Sequence, residues 1–194
     1  MAKTIDNGLE KLPHPHIMIE EKNQSAQESV LQTIHRVEDN EAMVQQIFEM
    51  IGHSKFFSDF TRQDVERLTA FMQVYRAEAN QTIIREGDVD DNLLLIVEGR
   101  VEIAKTDANG DRRTMTVVGA GATLGEMSMI DGEPRFATCV ALEETTFAVL
   151  SRDSMVRIII EEPALGSKIL IKLVTLLSQR LRATSSNLLQ HLES

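Results

Sequence analysis

The sequence contains a single cysteine, Cys139, no tryptophan and no long apolar run. One thiol excludes an intramolecular disulfide framework and leaves too few ligands for a cysteine-rich zinc or iron–sulfur site. No segment approaches the roughly 18–20 consecutive apolar residues of a membrane span, and the N-terminal residues lack the apolar core of a secretory signal. These absences predict a cytoplasmic protein without a membrane segment.

Basic residues are also in deficit. The 194 residues include 20 Lys and Arg against 30 Asp and Glu, which gives a formal net charge of −10 at pH 7. Neutralising phosphates requires a local surplus of basic side chains, so this balance opposes direct DNA binding. A chain that is 42% hydrophobic and 26% charged is typical of a globular protein of one domain or two small ones, not of a disordered polymer.

The N-terminal part predicts a flexible arm followed by helices. Residues 1–23 are polar, contain two prolines and show no periodicity, which indicates a mobile arm. Residues 24–72 carry helix-capping signals at Ser25, Asn40 and Thr61, each followed by apolar residues at helical spacing. These patterns predict three helices, over residues 25–37, 40–51 and 61–72.

Residues 73–151 read as short strands separated by turns. Gly, Asn and Asp clusters recur at short intervals, and Asn109-Gly110 is typical of a tight hairpin with positive φ at both residues. Many short antiparallel strands indicate a jelly roll or barrel. The predicted strands are Leu93–Val97, Val101–Lys105, Thr114–Val118, Ala137–Leu142 and Thr146–Leu150.

Helical periodicity returns in residues 152–194. A short helix is predicted over Asp153–Ile160, and Pro163 suits the first turn of a long helix. One apolar stripe of this helix has coiled-coil spacing: Leu170, Val174, Leu177, Leu181, Thr184 and Leu188. A second stripe lies beside it: Leu165, Ile169, Leu173 and Leu176. Either one stripe covers the barrel while the other joins a homodimer through residues 165–192, or both form one wide stripe on the chain's own core. The predicted class is α+β, an antiparallel β jelly-roll barrel flanked by N-terminal helices and a long C-terminal helix.

The segment that carries chemistry is residues 121–138. It reads as a glycine-hinged loop and short helix between two strands, with backbone N–H groups that suit an anion. Arg135 can add a bidentate charged contact to the same anion, and Glu126 can accept from a ligand hydroxyl. Guanidinium for a phosphate and carboxylate for a ribose hydroxyl describe a nucleotide-sized ligand. A structural Glu126–Arg135 ion pair is the alternative.

This arrangement resembles the phosphate-binding cassette of the cyclic nucleotide-binding domain, found in the bacterial catabolite activator family and in protein kinase A regulatory subunits. The similarity spans about residues 53 to 190. It is carried by Phe56-Phe57-Ser58-Asp59-Phe60, Ile84-Arg-Glu-Gly87-Asp88, Leu95-Ile-Val-Glu-Gly99-Arg-Val101, Gly121-Ala-Thr-Leu-Gly125-Glu126 and Pro134-Arg135-Phe136-Ala137-Thr138.

The resemblance implies a ligand, cyclic AMP or cyclic GMP, and a role for each site residue. Glu126 would accept from the ribose 2′-OH, and Arg135 would bind the exocyclic phosphate oxygens. The residues expected to offer backbone amides are Gly125, Glu126, Met127 and Ala137. Ile103, Met115 and Val118 are expected to surround the base. The alternative is that they are ordinary residues of the barrel core. Thr184 and Ser185 resemble the pair that meets adenine, although they lie about one helical turn later than in that family.

Phe136 departs from the family pattern, in which the residue after the arginine is commonly Ser, Thr or Ala. The ring could enter the pocket, stack on the base or pack outward. Because strand residues alternate in direction and Arg135 and Ala137 must face the phosphate, we expect the ring to point outward.

These observations favour a non-enzymatic cyclic-nucleotide sensor that couples ligand binding to movement of its C-terminal helix and to a downstream protein partner. The sequence ends after the long helix without a winged helix-turn-helix, so no direct DNA binding is expected. The alternative is a dimeric docking module of the same fold that no longer binds nucleotide, or that binds a cyclic dinucleotide. A cupin-like metalloenzyme would need several histidines on barrel strands, and none of the five lies in residues 74–150. No catalytic residue, metal or cofactor is therefore expected.

Overall fold

The structure is a computed structural model that describes residues 29–37, 45, 47–50 and 55–192. Its strands are β1 His35–Val37, β2 Gln73–Ala77, β3 Thr82–Ile84, β4 Leu93–Glu98, β5 Arg100–Thr106, β6 Arg112–Gly119, β7 Thr123–Leu124, β8 Thr138–Ala141 and β9 Thr145–Leu150. Its helices are α1 Arg62–Thr69, α2 Glu126–Asp131, α3 Arg152–Glu161 and α4 Pro163–Leu192, with short 3₁₀ turns at Val30–Thr33 and Lys55–Phe57.

The strands form two antiparallel sheets, in the orders β1-β2-β9-β4-β7 and β3-β8-β5-β6. This confirms the predicted α+β class, with a jelly-roll arrangement of antiparallel strands and helices on either side in sequence. The described strands are divided between two sheets, and they do not close into a single barrel.

The five-stranded sheet is buried on both faces. One core cluster joins its residues to α1, α3 and α4, while a second cluster joins the same sheet to the four-stranded one. Residues 93–97 of β4 are therefore buried without interruption. A strand covered on both sides needs apolar residues at every position, which explains the unbroken run of Leu, Ile and Val.

The capping signal at Thr61 is confirmed. The Thr61 hydroxyl accepts from the Asp64 amide, and the Asp64 carboxylate accepts from the Thr61 amide, so the two residues form a capping box. Val65 and Leu68 face the core from α1. Of the second predicted helix, residues 45 and 47–50 are helical, while its cap at Asn40 lies outside the described residues.

The predicted helix over residues 25–37 is wrong for its described part. Residues 30–33 form one 3₁₀ turn, and 35–37 form β1, which pairs antiparallel with β2. The spacing of Val30, Leu31 and Ile34 reflects burial between the sheets instead of a helical face. Pairing with the open edge of β2 satisfies backbone groups that an isolated short helix would leave unbonded. The capping signal at Ser25 lies outside the described residues.

The hairpin between β5 and β6 differs from its prediction. Gly110 has φ +86°, but no positive φ occurs at Asn109. The Gly110 amide donates to the Asp107 carbonyl at 3.0 Å, and the Asp107 carboxylate accepts from the Asn109 and Asp111 amides. Because the aspartate organises the loop, only one residue needs the left-handed conformation.

The two stripes of α4 have different surroundings. Leu165, Ile169 and Leu173 are buried in the core cluster, and Leu176 packs against it. Most of the coiled-coil stripe is exposed, with Leu181 at 69%. The interpretation as one wide intramolecular stripe is therefore wrong.

Helices α3 and α4 cross in close contact at Gly166. A Cβ at this position would lie 2.9 Å from Ile159 Cα, closer than real side chains approach. The glycine is required there by the neighbouring backbone, because a larger residue would separate the two helices.

We expect Gly166→Val to lower the free energy of unfolding by about 1–3 kcal/mol, because the added atoms overpack this crossing. Urea denaturation monitored by circular dichroism measures the change. Ser167→Ala, an exposed change in the same turn of α4, should stay within about 0.5 kcal/mol of the wild-type value. Equal stability of Gly166→Val and the wild-type protein would contradict the tight crossing.

Candidate functional site

The loop that carries the chemistry turns at a glycine. Gly125 follows β7 with φ +78° and directly precedes α2. A side chain at this position would overlap the Arg135 guanidinium and the carbonyl oxygen of Asn92. Only glycine therefore lets the chain turn here and bring Glu126 and Arg135 to the same place.

Glu126 is the first residue of α2 and is only 2% exposed. Its Oε1 accepts a hydrogen bond from Nη1 of Arg180, which lies in α4. Its Oε2 is buried and has no hydrogen-bond partner. One oxygen of a buried carboxylate is thus available to a donor that enters the site.

Arg135 is 3% exposed and lies between α2 and β8. Its Nη1 donates to the Gly125 carbonyl at 3.2 Å. Its Nη2 is buried without a hydrogen bond, although the Asp90 carboxylate lies 3.4 Å away as an ion pair. The guanidinium keeps donor capacity for an oxyanion.

The backbone of Arg135 is held independently of α2. Its amide donates to the Asp88 carbonyl at 2.9 Å, and its carbonyl accepts from the Gly87 amide at 2.9 Å. Glu86, next in this segment, donates its amide to the Thr138 hydroxyl at 3.0 Å. The segment after β3 therefore fixes the position of the guanidinium.

The two atoms that lack a hydrogen bond belong to residues that line one cavity. Of the predicted site residues, the structure brings together Ile103, Gly125, Glu126, Met127, Arg135, Phe136 and Ala137 around it. Ile84, Leu124, Ser128, Cys139 and Arg180 also line it, and were not predicted as site residues. Apart from Glu126 and the two arginines, the walls are mainly apolar.

Four predicted residues do not line this cavity. Met115 is exposed on β6, and Val118 packs against the core between the sheets. Thr184 and Ser185 are exposed on α4. The part of α4 that reaches the site is Arg180, one turn earlier, whose Nη2 also donates to the Thr123 carbonyl at 2.9 Å.

Arg180 lies in the same segment as Thr184 and Ser185, which resemble the adenine-contacting pair of the family. Its contact with Glu126 joins residues 54 positions apart, so no local spacing indicates it. The available sequence signal was a basic residue on the same helical face as Thr184, one turn before it.

Phe136 lies at the rim of the cavity. Its ring lines the cavity and is also 47% exposed, so it neither fills the site nor packs fully outward as expected. The Lys105 ammonium lies 4.1 Å from the ring centroid and donates to the Phe136 carbonyl at 2.7 Å. This cation–π contact and the hydrogen bond fix the residue at the rim.

Cys139 forms part of the apolar wall. Burial raises the pKa of its thiol to about 12, and the nearby Glu126 carboxylate acts in the same direction. Arg135 and Arg180 oppose the shift without cancelling it. The side chain is a neutral thiol at physiological pH.

In the part of the chain that the structure describes, no group of three His, Cys, Asp or Glu side chains is arranged to hold a metal ion. Among the same residues, no helix combines the length and hydropathy that a membrane span requires.

The sequence profile of the cyclic nucleotide-binding domain family matches residues 75–162. A cyclic AMP receptor protein from Thermus thermophilus is 30% identical over 129 residues, 66% of this chain and 58% of that protein. A CRP-like cAMP-activated global transcriptional regulator from Mycobacterium tuberculosis is 26% identical over 140 residues, 72% of this chain and 61% of that protein. The chain spans about three fifths of the length of these curated relatives.

A solved structure agrees with the sequence comparison. The crystal structure of a cyclic nucleotide-binding domain from Methylobacillus flagellatus KT is 38% identical, with a TM-score of 0.75. The match covers 86% of this chain and 93% of that one. The resemblance that the sequence motifs indicated is confirmed.

The raised thiol pKa of Cys139 predicts a pH dependence of stability. The folded protein holds this proton up to a pKa of about 12, whereas an unfolded thiol releases it near pH 8.5. The contribution of the Cys139 thiol to the free energy of unfolding is therefore complete below about pH 8.5. Above that pH it falls by ~1.4 kcal/mol per pH unit. The unfolding free energy of the wild-type protein minus that of Cys139→Ala, from urea titrations between pH 7 and 10.5, should show this decline. A constant difference would mean that the thiol ionises normally in the folded protein.

Proposed function

Because the chain belongs to the cyclic nucleotide-binding domain family, we propose that it is a non-enzymatic sensor of cyclic AMP or cyclic GMP. The observation that carries the proposal is a pair of buried polar atoms of opposite charge, Glu126 Oε2 and Arg135 Nη2, without hydrogen-bond partners beside one cavity. Leaving such atoms unpaired costs about 1–3 kcal/mol each, and more when they are charged. A ligand that satisfies both at once recovers that free energy.

The two atoms define the ligand's chemistry. A guanidinium is the preferred partner of a phosphate because its donors match the oxygens in a fork. The free carboxylate oxygen requires a donor, which the 2′-hydroxyl of a ribose supplies. A 3′,5′-cyclic nucleotide carries one phosphate, one free ribose hydroxyl and an aromatic base for the apolar wall. This assignment agrees with the roles that the family resemblance implies for Glu126 and Arg135.

The same atoms argue against a docking module that has lost its ligand. A buried carboxylate and guanidinium that serve no ligand are destabilising, and apolar residues would fill the space at lower cost. Both charges are present, and residue 125 is a glycine, which leaves room for the guanidinium. These features support a site that binds a ligand. The names of the two curated relatives make cyclic AMP the first ligand to test.

We propose that the signal leaves the site through α4. Arg180 of this helix binds the same carboxylate that would meet the ribose hydroxyl. A ligand that enters therefore changes the partner set of Glu126 and, with it, the interaction that holds α4 to the cassette. The shift between conformations is limited to the difference in ligand affinity between them.

The proposed output is a homodimer through residues 165–192 that acts on a downstream protein partner. The exposed coiled-coil stripe supports this, because a row of leucines in water is an association surface. The expectations of a cytoplasmic location and of no direct DNA binding stay predictions from the sequence.

We expect Arg135→Ala to weaken cyclic AMP binding by roughly 30-fold to several thousandfold, which corresponds to about 2–5 kcal/mol for a lost buried charged contact. Isothermal titration calorimetry measures the Kd. Arg85→Ala is the matched control, since that arginine is largely exposed in the adjoining segment, and its Kd should stay within threefold. Glu126→Gln should weaken binding less, because an amide oxygen still accepts. Binding by a folded Arg135→Ala within threefold of wild type would remove Arg135 from the site.

The dimer is tested by Leu177→Glu/Leu181→Glu. Two added carboxylates per chain place four like charges in the proposed seam, so the protein should sediment as a monomer with unchanged β-rich circular dichroism. Thr175→Glu/Gln179→Glu adds the same charge at exposed positions outside the seam and should stay dimeric. A wild-type protein that is monomeric at tens of micromolar would overturn the proposal.

A further inference from the structure

A second arginine of the C-terminal helices also contacts the cassette. Arg152 is the first residue of α3, directly after its N-cap Ser151. Its Nε donates to the Met129 carbonyl and its Nη2 to the Ile130 carbonyl, both at 2.8 Å. We propose that Arg152 is a positioning residue: it holds α2 at its C-terminal end and thereby places Glu126 for the ligand hydroxyl. This inference rests on the proposed function.

The contact acts where α2 most needs it. The last carbonyls of a helix have no partner within the helix, and in α2 the Gly132 amide takes the one from Ser128. The Arg152 guanidinium donates to the next two carbonyls, those of Met129 and Ile130. Its positive charge also suits the negative end of the helix dipole. A helix of six residues is too short to be stable alone, and its N-cap Gly125 offers no side chain. Tertiary contacts at its ends therefore set its position.

Apart from the Arg135 guanidinium on the Gly125 carbonyl, these contacts come from one pair of helices. Arg152 of α3 holds the C-terminal end of α2, and Arg180 of α4 holds Glu126 at the N-terminal end. The tight crossing at Gly166 joins α3 to α4. A shift of α3 would therefore displace Glu126 in two ways. One acts through Arg152 and α2, and the other acts through α4 and Arg180.

The same geometry predicts a selective effect on the ligand. Glu126 belongs to α2, whereas Arg135 lies beyond it. The Arg135 guanidinium donates to the carbonyl of Gly125, the N-cap of α2, but its backbone is fixed by separate bonds to Asp88 and Gly87. Loss of Arg152 should therefore disturb the hydroxyl contact and spare the phosphate contact. A general loss of stability would instead weaken every ligand equally.

The experiment compares the Kd of cyclic AMP with that of 2′-deoxy cyclic AMP. The wild-type protein should prefer cyclic AMP by roughly 10- to 100-fold, the range for a hydrogen bond to a charged group. In Arg152→Met this preference should fall below about threefold, while the Kd of the deoxy nucleotide stays within threefold of the wild-type value. Arg152→Lys should be intermediate, because an ammonium cannot reproduce the two-donor fork.

Arg157→Met is the control on the same helix, since Arg157 pairs with Glu161 at the surface and does not bind α2. It should keep the wild-type preference. Equal weakening of both nucleotides in Arg152→Met, or an unchanged preference, would overturn the inference.

Amide hydrogen exchange in the ligand-free protein tests the positioning role without any nucleotide. The Met129 and Gly132 amides, bonded within the α2 turn, should exchange at least about tenfold faster in Arg152→Met, while the Glu162 amide at the end of α3 stays unchanged. Unchanged exchange at Met129 and Gly132 would overturn the role of Arg152. A wild-type protein that binds both nucleotides equally would instead overturn the assignment of Glu126 in the proposed function.

Discussion

Two opposite charges buried beside one apolar cavity are the constraint around which the site is built. Glu126 and Arg135 are almost fully buried, and each keeps one polar atom without a hydrogen bond. Burial of such groups is unfavourable unless something compensates them. The protein compensates in part, with Arg180 on the carboxylate and with Asp90 and the Gly125 carbonyl on the guanidinium. The hydrogen-bonding capacity that these two atoms keep is the physical basis of the proposed ligand recognition.

The architecture around that site follows from sheets and helices that share one core. The five-stranded sheet is covered by the second sheet on one face and by α1, α3 and α4 on the other. Lys168 of α4 also pairs with Asp64 in the first turn of α1, and Lys172 pairs with Asp59, which precedes α1. The first half of α4 is thereby attached to the core, while its second half carries Arg180 and the exposed leucines. The contact with Glu126 and the proposed association surface therefore lie on one continuous helix.

The sequence patterns predicted those elements whose conformation depends on residues close in sequence. The capping box at Thr61, for example, needs only residues within one turn. The prediction failed at residues 30–37, where a distant strand edge decides the conformation. It also failed at Asn109, where the Asp107 carboxylate shapes the turn. β3 and β7 were not predicted, since strands of three and two residues are too short to show a pattern, and β2 was not predicted either.

The sequence by itself determined the chemistry of the cassette. Gly125, Glu126 and Arg135 lie within one short segment, so their order along the chain already indicates a turn, a carboxylate and a guanidinium. Only the tertiary structure decided that Arg180 contacts Glu126, that Arg152 contacts the C-terminal end of α2, and that Thr184 and Ser185 lie outside the cavity. Those contacts depend on the angle at which α3 and α4 return over the sheet, which is set by packing between distant residues. Such an angle cannot be predicted from a local sequence pattern.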